Sequence, residues 1–305
     1  MIQKLEFHAM GCEMLVALDH PEPIKELEQV PQWFEHWESL FSRFRLDSES
    51  SRVNNSSGYP VKISHEFAEV FELSRTVEKQ SNGLVTPVLL DALIEAGYDR
   101  SFELLAPVLD ELAPQPYGMQ SGLPQIEWDA ATRTIFLPPN LHLDFGGIVK
   151  GWAANETVKR LSKYGPALMD AAGDIAVGEK PATDEYWTVG VADPFDPSDS
   201  IDVLKLVDCG VATSGKDRRR WQRNNNWQHH IIDPRTHLPA ETSVLTATVI
   251  APNSIQAEWA AKTSLLLGSQ DGLDWLNANP ELAGLLILED GQCLYSNNFE
   301  NYLWS

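Results

Sequence analysis

The spacing of apolar positions changes along the chain, and each change marks an element. Lys4–Asp19 alternates apolar and polar residues on either side of Met10-Gly11, which predicts a strand pair or one bent strand with a bulge at that dipeptide. Ile24–Phe44 places Leu27, Val30, Phe34, Trp37, Leu40 and Phe41 on one stripe, the spacing of a helix restarted by Pro31. Asp47–Gly58 is polar and reads as a turn region. His65–Ser81 returns to helical spacing, with Phe67, Val70, Phe71, Leu73, Ser74 and Val77 on its apolar face. Gly83–Ala96 opens with turn residues and continues as a helix that Gly97 caps. Pro107–Gly122 is polar and proline-rich, the pattern of a surface insertion, and Ile126–Leu137 reads as a short hairpin.

Leu141–Leu161 joins the two halves. Leu141, Leu143 and Phe145 alternate as the end of a strand, Gly146-Gly147 permits a sharp turn, and helical spacing runs from Ile148 through Trp152, Ala153, Val158 and Leu161. A strand, a glycine pair and a helix start leave backbone N–H groups and a positive helix end, the makings of an anion seat. Asp144 and Lys150 flank the turn and can hold a polar ligand between them. The run is neither GxGxxG nor a P-loop, and a plain strand-to-helix connection accounts for it equally well.

The second half is strand-rich. Ala167–Ile175, Trp187–Val191, Val203–Val207, Val244–Ala251, Leu282–Leu288 and Gly291–Ser296 read as strands, and Ser254–Leu267 as a helix with Glu258 and Lys262 one turn apart on one face. Between them lie the chain's densest basic cluster, Arg218, Arg219, Arg220 and Arg223, and a short strand followed by a proline turn, His229–Ala240.

Composition narrows the partners. The 305 residues carry a formal charge of −21, so the mean field repels nucleic acid and anionic membranes, and a phosphate-bearing ligand needs a local basic patch. Apolar residues at 43% and charged residues at 22% suit a soluble globular protein. Cys12, Cys209 and Cys293 lie far apart without metal-ligand spacing, which points to a reducing compartment. The start of the chain lacks the basic-then-apolar pattern of a leader and no apolar run is long enough to span a bilayer, so a cytoplasmic location is expected.

Read together, the motifs HAMGCEM, SRFRLDSESSRVN, GLVTPVLLDAL, LDFGGIVKGWAAN, LMDAAGDIAV, VATSG, HHIIDPRT and APNSIQAEWAAKTSLLLG, spread in order from Met10 to Gly268, resemble the ApbE family of FAD:protein FMN transferases. The resemblance implies an α/β (α+β) fold, a mixed and largely antiparallel sheet flanked by helices in an ApbE-like, T-fold-like architecture. It implies one ApbE-like domain over residues 1–305, divisible into two subdomains, with an insertion near 103–125. It also implies transfer of FMN from FAD onto a Thr or Ser hydroxyl of an acceptor with an FMN-binding domain, with release of AMP. By the same resemblance His230 is the catalytic base, with His229 as fallback. Met10, Phe44, Leu84, Val85, Thr86, Asp144, Lys150, Asp174, Thr213 and Ile232 hold FAD, and Gly147 and Glu258 hold Mg²⁺. Asp233 and Thr236 shape the turn after His230.

The chain departs from the family pattern in several places. It has Val85-Thr86-Pro87-Val88 where the family commonly has F-D-P-T, Ala172-Gly173-Asp174 for G-G-D, and His237 where a glycine usually follows the threonine. On the metal-ligand helix, Glu258 and Lys262 stand where the family has Asp and Thr. Mg²⁺ takes oxygen ligands and an ammonium is not one, so Lys262 is read as taking the metal's place. Three activities therefore stand open: FMN transfer, FAD binding without catalysis, and hydrolysis of FAD to FMN and AMP.

Overall fold

The computed structural model describes residues 1–56, 58–105, 123–196, 198–223 and 226–304. Residues 106–122, which contain most of the proposed insertion, lie outside the described residues. The chain forms two compact units. One, mainly helical, comprises Glu35–Val149 and Arg218–Glu241; the other, built on a sheet, comprises Met1–Phe34, Lys150–Asp217 and Thr242–Ser305.

The predicted Ile24–Phe44 helix appears as a 3₁₀ turn, Leu27–Gln29, followed by α1, Val30–Phe41. Pro31 falls in the first turn of α1, where no partner for an N–H is needed. The polar stretch read as turn contains a helix instead, α2 (Glu49–Asn54). Ser48 caps it by accepting the Ser51 N–H, and Ser48, Ser50 and Ser51 are buried. A helix whose buried residues are largely serine and glutamate leaves no apolar period in the sequence. Glu49, also buried, accepts the Ser64 N–H at 3.0 Å, just ahead of α3 (His65–Gln80), whose own cap is Ser64. Phe67, Ala68, Val70, Phe71, Ser74 and Val77 are the buried residues of α3, close to the predicted face. Phe67 stacks on Phe41 and meets Phe145 edge-on, with centroids 5.6 and 5.2 Å apart. α4 spans Leu90–Glu95, and Gly97, at φ +100°, follows it. A three-stranded sheet, Val61–Lys62, Thr134–Phe136 and Glu127–Asp129, completes this part.

Leu141–Phe145 forms no strand. Its extended backbone bonds to a side chain instead of a neighbouring strand: the Leu143 N–H donates to Asn54 Oδ1 at 2.8 Å, and Asn54 Nδ2 donates to the Leu143 carbonyl at 2.9 Å. The alternation was genuine, since Leu141, Leu143 and Phe145 are buried, but an amide side chain took the ladder's role.

The sheet unit is organised by eight strands: β1 (Ile2–Ala9), β2 (Cys12–Asp19), β3 (Ala167–Ala171), β4 (Asp174–Val177), β5 (Cys209–Gly215), β6 (Val244–Ala251), β7 (Ala283–Leu288) and β8 (Cys293–Tyr295). They lie side by side in chain order, every neighbouring pair antiparallel, so the sheet is antiparallel throughout rather than mixed. Met10-Gly11 is no bulge. Ala9 pairs with Cys12 and both turn residues have positive φ, as a two-residue hairpin loop requires. One face of the sheet, with Val211, Ile250 and Leu285, packs with Trp187, Leu204 and Phe299 around the hairpin Trp187–Ala192/Ser200–Leu206. Helices α6 (Ser254–Leu267) and α7 (Ser269–Ala278) pack against β5, β6 and β7. Strands buried on both faces lose their alternation, which is why β7 reads AGLLIL. The helix predicted from Ile148 to Leu161 is α5, Val149–Leu161.

Gly151, in the first turn of α5, touches the start of α6. Its N–H donates to Glu258 Oε2 at 3.0 Å, and its carbonyl accepts from Ser254 Oγ at 2.7 Å. A Cβ there would lie 2.8 Å from both Glu258 Oε2 and the Ser254 carbonyl oxygen, so only glycine fits.

His142 pairs with Asp91, its Nδ1 2.7 Å from Oδ1, and this hydrogen bond raises the imidazole above its ordinary 6.5. A raised histidine contributes stability fully below 6.5 and loses it as pH climbs through the folded-state value. The Tm gap between the parent and His142→Gln is therefore expected to be widest in mild acid and to close on the alkaline side. A gap constant from pH 5.5 to about 9 would remove the pair from the stability of this unit.

Candidate functional site

The predicted residues fall in both units. Met10, Lys150, Asp174, Thr213, Glu258 and Lys262 belong to the sheet unit; Phe44, Leu84, Val85, Thr86, Asp144, Gly147, His230 and Ile232 belong to the helical unit.

In the sheet unit the structure assembles four charges. Asp174 opens β4, is 3% exposed, and pairs with the Lys150 ammonium on α5. Glu258, also 3% exposed, lies on α6 with its carboxylate on the Gly151 N–H. Burial pushes the Glu258 carboxyl up to about 7, the Asp174 charge adds to the rise, and Lys150 and Lys262 oppose it. Lys262 follows Glu258 by one helical turn, on the same face. Thr213 sits within β5, its Oγ1 2.9 Å from that of its cross-strand partner Thr248. Met10, at φ +52°, holds a conformation that non-glycine residues rarely adopt and that recurs at ligand-binding positions.

The anion seat is occupied by the chain's own carboxylates. The Gly146 N–H donates to Asp144 Oδ1 at 2.6 Å and the Gly151 N–H to Glu258, while those of Ile148 and Val149 bond to the Phe145 carbonyl. Asp144 and Lys150 each have a charged partner. Asp144 Oδ2 accepts from Arg43 Nε at 2.8 Å, and Lys150 is committed to Asp174.

Arg43 is the residue that the sequence reading passed over. Its side chain is only 7% exposed, and its guanidinium lies 4.2 Å from the Phe44 ring centre and 4.5 Å from that of Tyr98. Its Nη2 is buried with no hydrogen-bond partner among the described residues. Phe44 itself is 42% exposed, an aromatic face open for stacking. The signal was present in SRFR, but stacking on a residue as distant in sequence as Tyr98 has no periodicity. Leu84 and Val85 are buried and Thr86 donates to Glu78 Oε2, so this segment presents little polar surface. Gly147 lies in the turn before α5.

His230 follows the hairpin Arg220–Arg223/Asn226–His229, and its Nδ1 lies 3.4 Å from the Arg219 carbonyl. With a proton on Nδ1, the basic nitrogen is Nε2. His229 Nε2 lies 3.2 Å from the Ala240 carbonyl. The arginine cluster is partly structural: Arg220 stacks 4.8 Å from the Trp227 ring centre on this hairpin, and Trp221 is buried with its Nε1 donating to the Ala96 carbonyl. Ile232 is buried beside Trp221 and Tyr98. Asp233 organises the next turn: its carboxylate takes the Arg235 N–H and guanidinium, and its carbonyl takes the N–H groups of Thr236 and His237.

At two departures from the pattern that the resemblance implies, the backbone has the conformation that suits glycine. Ala172 and His237, each where the family favours glycine, have φ of +59°. An L-residue in this region costs about 1–2 kcal/mol, more than the extra backbone entropy glycine loses on folding. Ala172→Gly and His237→Gly are each expected to stabilise the protein by about 0.5–1 kcal/mol, read as additive increases in Tm; a decrease with either would show that the side chain makes contacts worth more than the strain.

Mg²⁺ is the ion implied by the resemblance, and this donor set does not suit it. Among the described residues no group of three or more His, Cys, Asp or Glu side chains is placed to hold a metal. The two buried carboxylates already face an ammonium and a backbone N–H, with Lys262 one turn along. A cation brought within 4 Å of an ammonium is repelled by about 4 kcal/mol per unit charge at an effective dielectric of 20.

The sequence model of the ApbE family matches residues 10–286. The chain belongs to the ApbE family. Its curated relatives include an FAD:protein FMN transferase of Treponema pallidum, 28% identical over 92% of this chain and 82% of the relative. Among solved structures, the ApbE protein from Thermotoga maritima superimposes with a TM-score of 0.88 at 21% identity, over the whole of both chains. The flavin transferase ApbE from Vibrio cholerae gives 0.81 at 22% identity, over 99% of each. These likenesses establish the ApbE fold for the entire chain.

Proposed function

We propose that this protein is an FAD:protein FMN transferase. The observation that carries the reading is family membership over residues 10–286, together with likeness to relatives bearing that name, the one from Treponema pallidum over 92% of this chain and 82% of its own length. In the proposed reaction an acceptor Thr or Ser hydroxyl attacks the FMN-side phosphorus of FAD. The new phosphoester bond forms as the pyrophosphate bond breaks, and AMP leaves with the bridging oxygen. His230 Nε2 takes the hydroxyl proton, with Nδ1 held toward the Arg219 carbonyl. Phe44 stacks on a ring of FAD, and the buried guanidinium of Arg43 behind it keeps that face rigid and positive. Met10, Leu84, Val85, Thr86, Asp144, Thr213 and Ile232 complete the proposed contacts, and Lys150 and Asp174 fix the charge near the pyrophosphate. The acceptor is a protein with an FMN-binding domain. A cytoplasmic location accords with the absence, among the described residues, of a helix long and apolar enough to cross a membrane.

The test is incubation with FAD and an acceptor domain, followed by intact mass and nucleotide analysis. A gain equal to FMN less water, with one AMP released per acceptor modified, supports transfer. FAD bound with neither product supports the second reading, an FAD holder without catalysis, which the poor fit for Mg²⁺ favours. AMP and free FMN with an unmodified acceptor would mean hydrolysis.

A further inference from the structure

We infer that Lys262 replaces a divalent cation in this protein, so that FAD binding depends on a fixed ammonium and is independent of added metal. The inference rests on the proposed FAD site and concerns how that site handles phosphate charge.

Three observations support it. The first is chemical: the acidic side chains available to a cation are Asp174 and Glu258, and Asp174 already pairs with Lys150. A divalent ion would have to displace that ammonium to gain an Asp174 oxygen, and Glu258 already accepts the Gly151 N–H. The second is geometric. Glu258 is held by the Gly151 N–H, which fixes its carboxylate toward the start of α5. Lys262, half-buried and one turn further along α6, rises on the same face. The third is electrostatic, because the chain carries −21 overall and a diphosphate needs positive charge supplied locally. Two ammonium groups provide it: Lys150, held by Asp174, and Lys262, whose charge is felt at Glu258. A lysine is a compact point charge with three donors, suited to phosphate oxygens without bidentate geometry. It supplies the charge but not the Lewis acidity of a metal.

The test is FAD titration of the whole protein, followed by flavin fluorescence, in EDTA and in excess Mg²⁺. Electron paramagnetic resonance with Mn²⁺ as the probe gives a direct count of bound metal. The parent is expected to bind FAD equally in both buffers and to leave Mn²⁺ free in the presence of FAD. Lys262→Met is expected to weaken FAD by roughly tenfold or more in both buffers. Lys262→Thr, which restores an oxygen at this position, should weaken FAD in EDTA and regain affinity with Mg²⁺. Lys262→Arg, which keeps the charge, should bind FAD more tightly than Lys262→Met, and this separates loss of charge from loss of fold. Parent binding that collapses in EDTA and returns with Mg²⁺, or stoichiometric Mn²⁺ on the parent, would overturn the inference while leaving the FAD site intact. Lys262→Met binding FAD as the parent does would overturn it too. No FAD binding by the parent in either buffer overturns the proposed function, and this inference with it.

Discussion

Replacing His230 with alanine will lower FMN transfer by roughly 10²–10⁴-fold and leave FAD affinity nearly unchanged. The split follows from what the imidazole is asked to do. A general base acts on the acceptor hydroxyl as the phosphorus bond forms, so its loss appears in the transition state and not in the bound ground state. The Nδ1 contact to the Arg219 carbonyl, 3.4 Å, is at the long end for a hydrogen bond. Stopped-flow or discontinuous mass assays of transfer, with FAD titrations alongside, separate the two quantities. His229→Ala is the paired control: with its Nε2 on the Ala240 carbonyl, that ring is expected to act on the fold of the turn. Full transfer by His230→Ala would remove His230 from the chemistry, and collapse of transfer in His229→Ala at unchanged FAD affinity would move the role to its neighbour.

The second large effect is expected at Gly151. On an ordinary helix surface, glycine to alanine stabilises by up to about 1 kcal/mol. Here the sign should reverse, with Gly151→Ala destabilising by roughly 2–4 kcal/mol. The new methyl meets the Ser254 carbonyl oxygen and Glu258 Oε2 at 2.8 Å, and neither can simply rotate away. Ser254 is buried backbone at the start of α6, and Glu258 is buried with its carboxylate on the very N–H that would be pushed back. Relief by separating the two helices would break both hydrogen bonds that join them and would leave a buried carboxylate poorly satisfied. Chemical denaturation at equilibrium measures the change, and a variant as stable as the parent would show that the contact between α5 and α6 yields easily.

Local patterns were legible wherever the physics is local. The 3.6-residue stripe through Phe67, Val70, Phe71 and Val77 predicted α3 to within one residue. Val244–Ala251 and Ser254–Leu267 were predicted with the bounds the structure gives. The order of motifs from Met10 to Gly268 was sufficient to identify the family, since a resemblance adds up along the chain without any knowledge of contacts. Departures from the pattern were visible as well. Ala172, His237 and Lys262 were conspicuous as letters before their backbone or surroundings were known.

What those letters do was decided by tertiary structure. Positive φ at Ala172 and His237 is imposed by the turns in which they sit, and no side-chain pattern reports it. α2 is hidden because its buried residues are Glu49, Ser50, Ser51 and Val53, of which only Val53 is apolar. The Leu141–Phe145 stretch alternates like a strand yet is held by Asn54, a partner 89 residues away from Leu143. The same holds for charge. Sequence placed Asp144 and Lys150 as neighbours at one turn, where opposite signs suggested a shared ligand. The fold gave Asp144 to Arg43 and Lys150 to Asp174, because a buried charge takes the partner that satisfies it at least desolvation cost, wherever that partner lies in the chain. Sequence alone determined the family, the long elements and the unusual residues; only the folded chain determined which charges meet, and therefore that the buried Glu258 carboxylate feels both the Lys150 and the Lys262 ammonium.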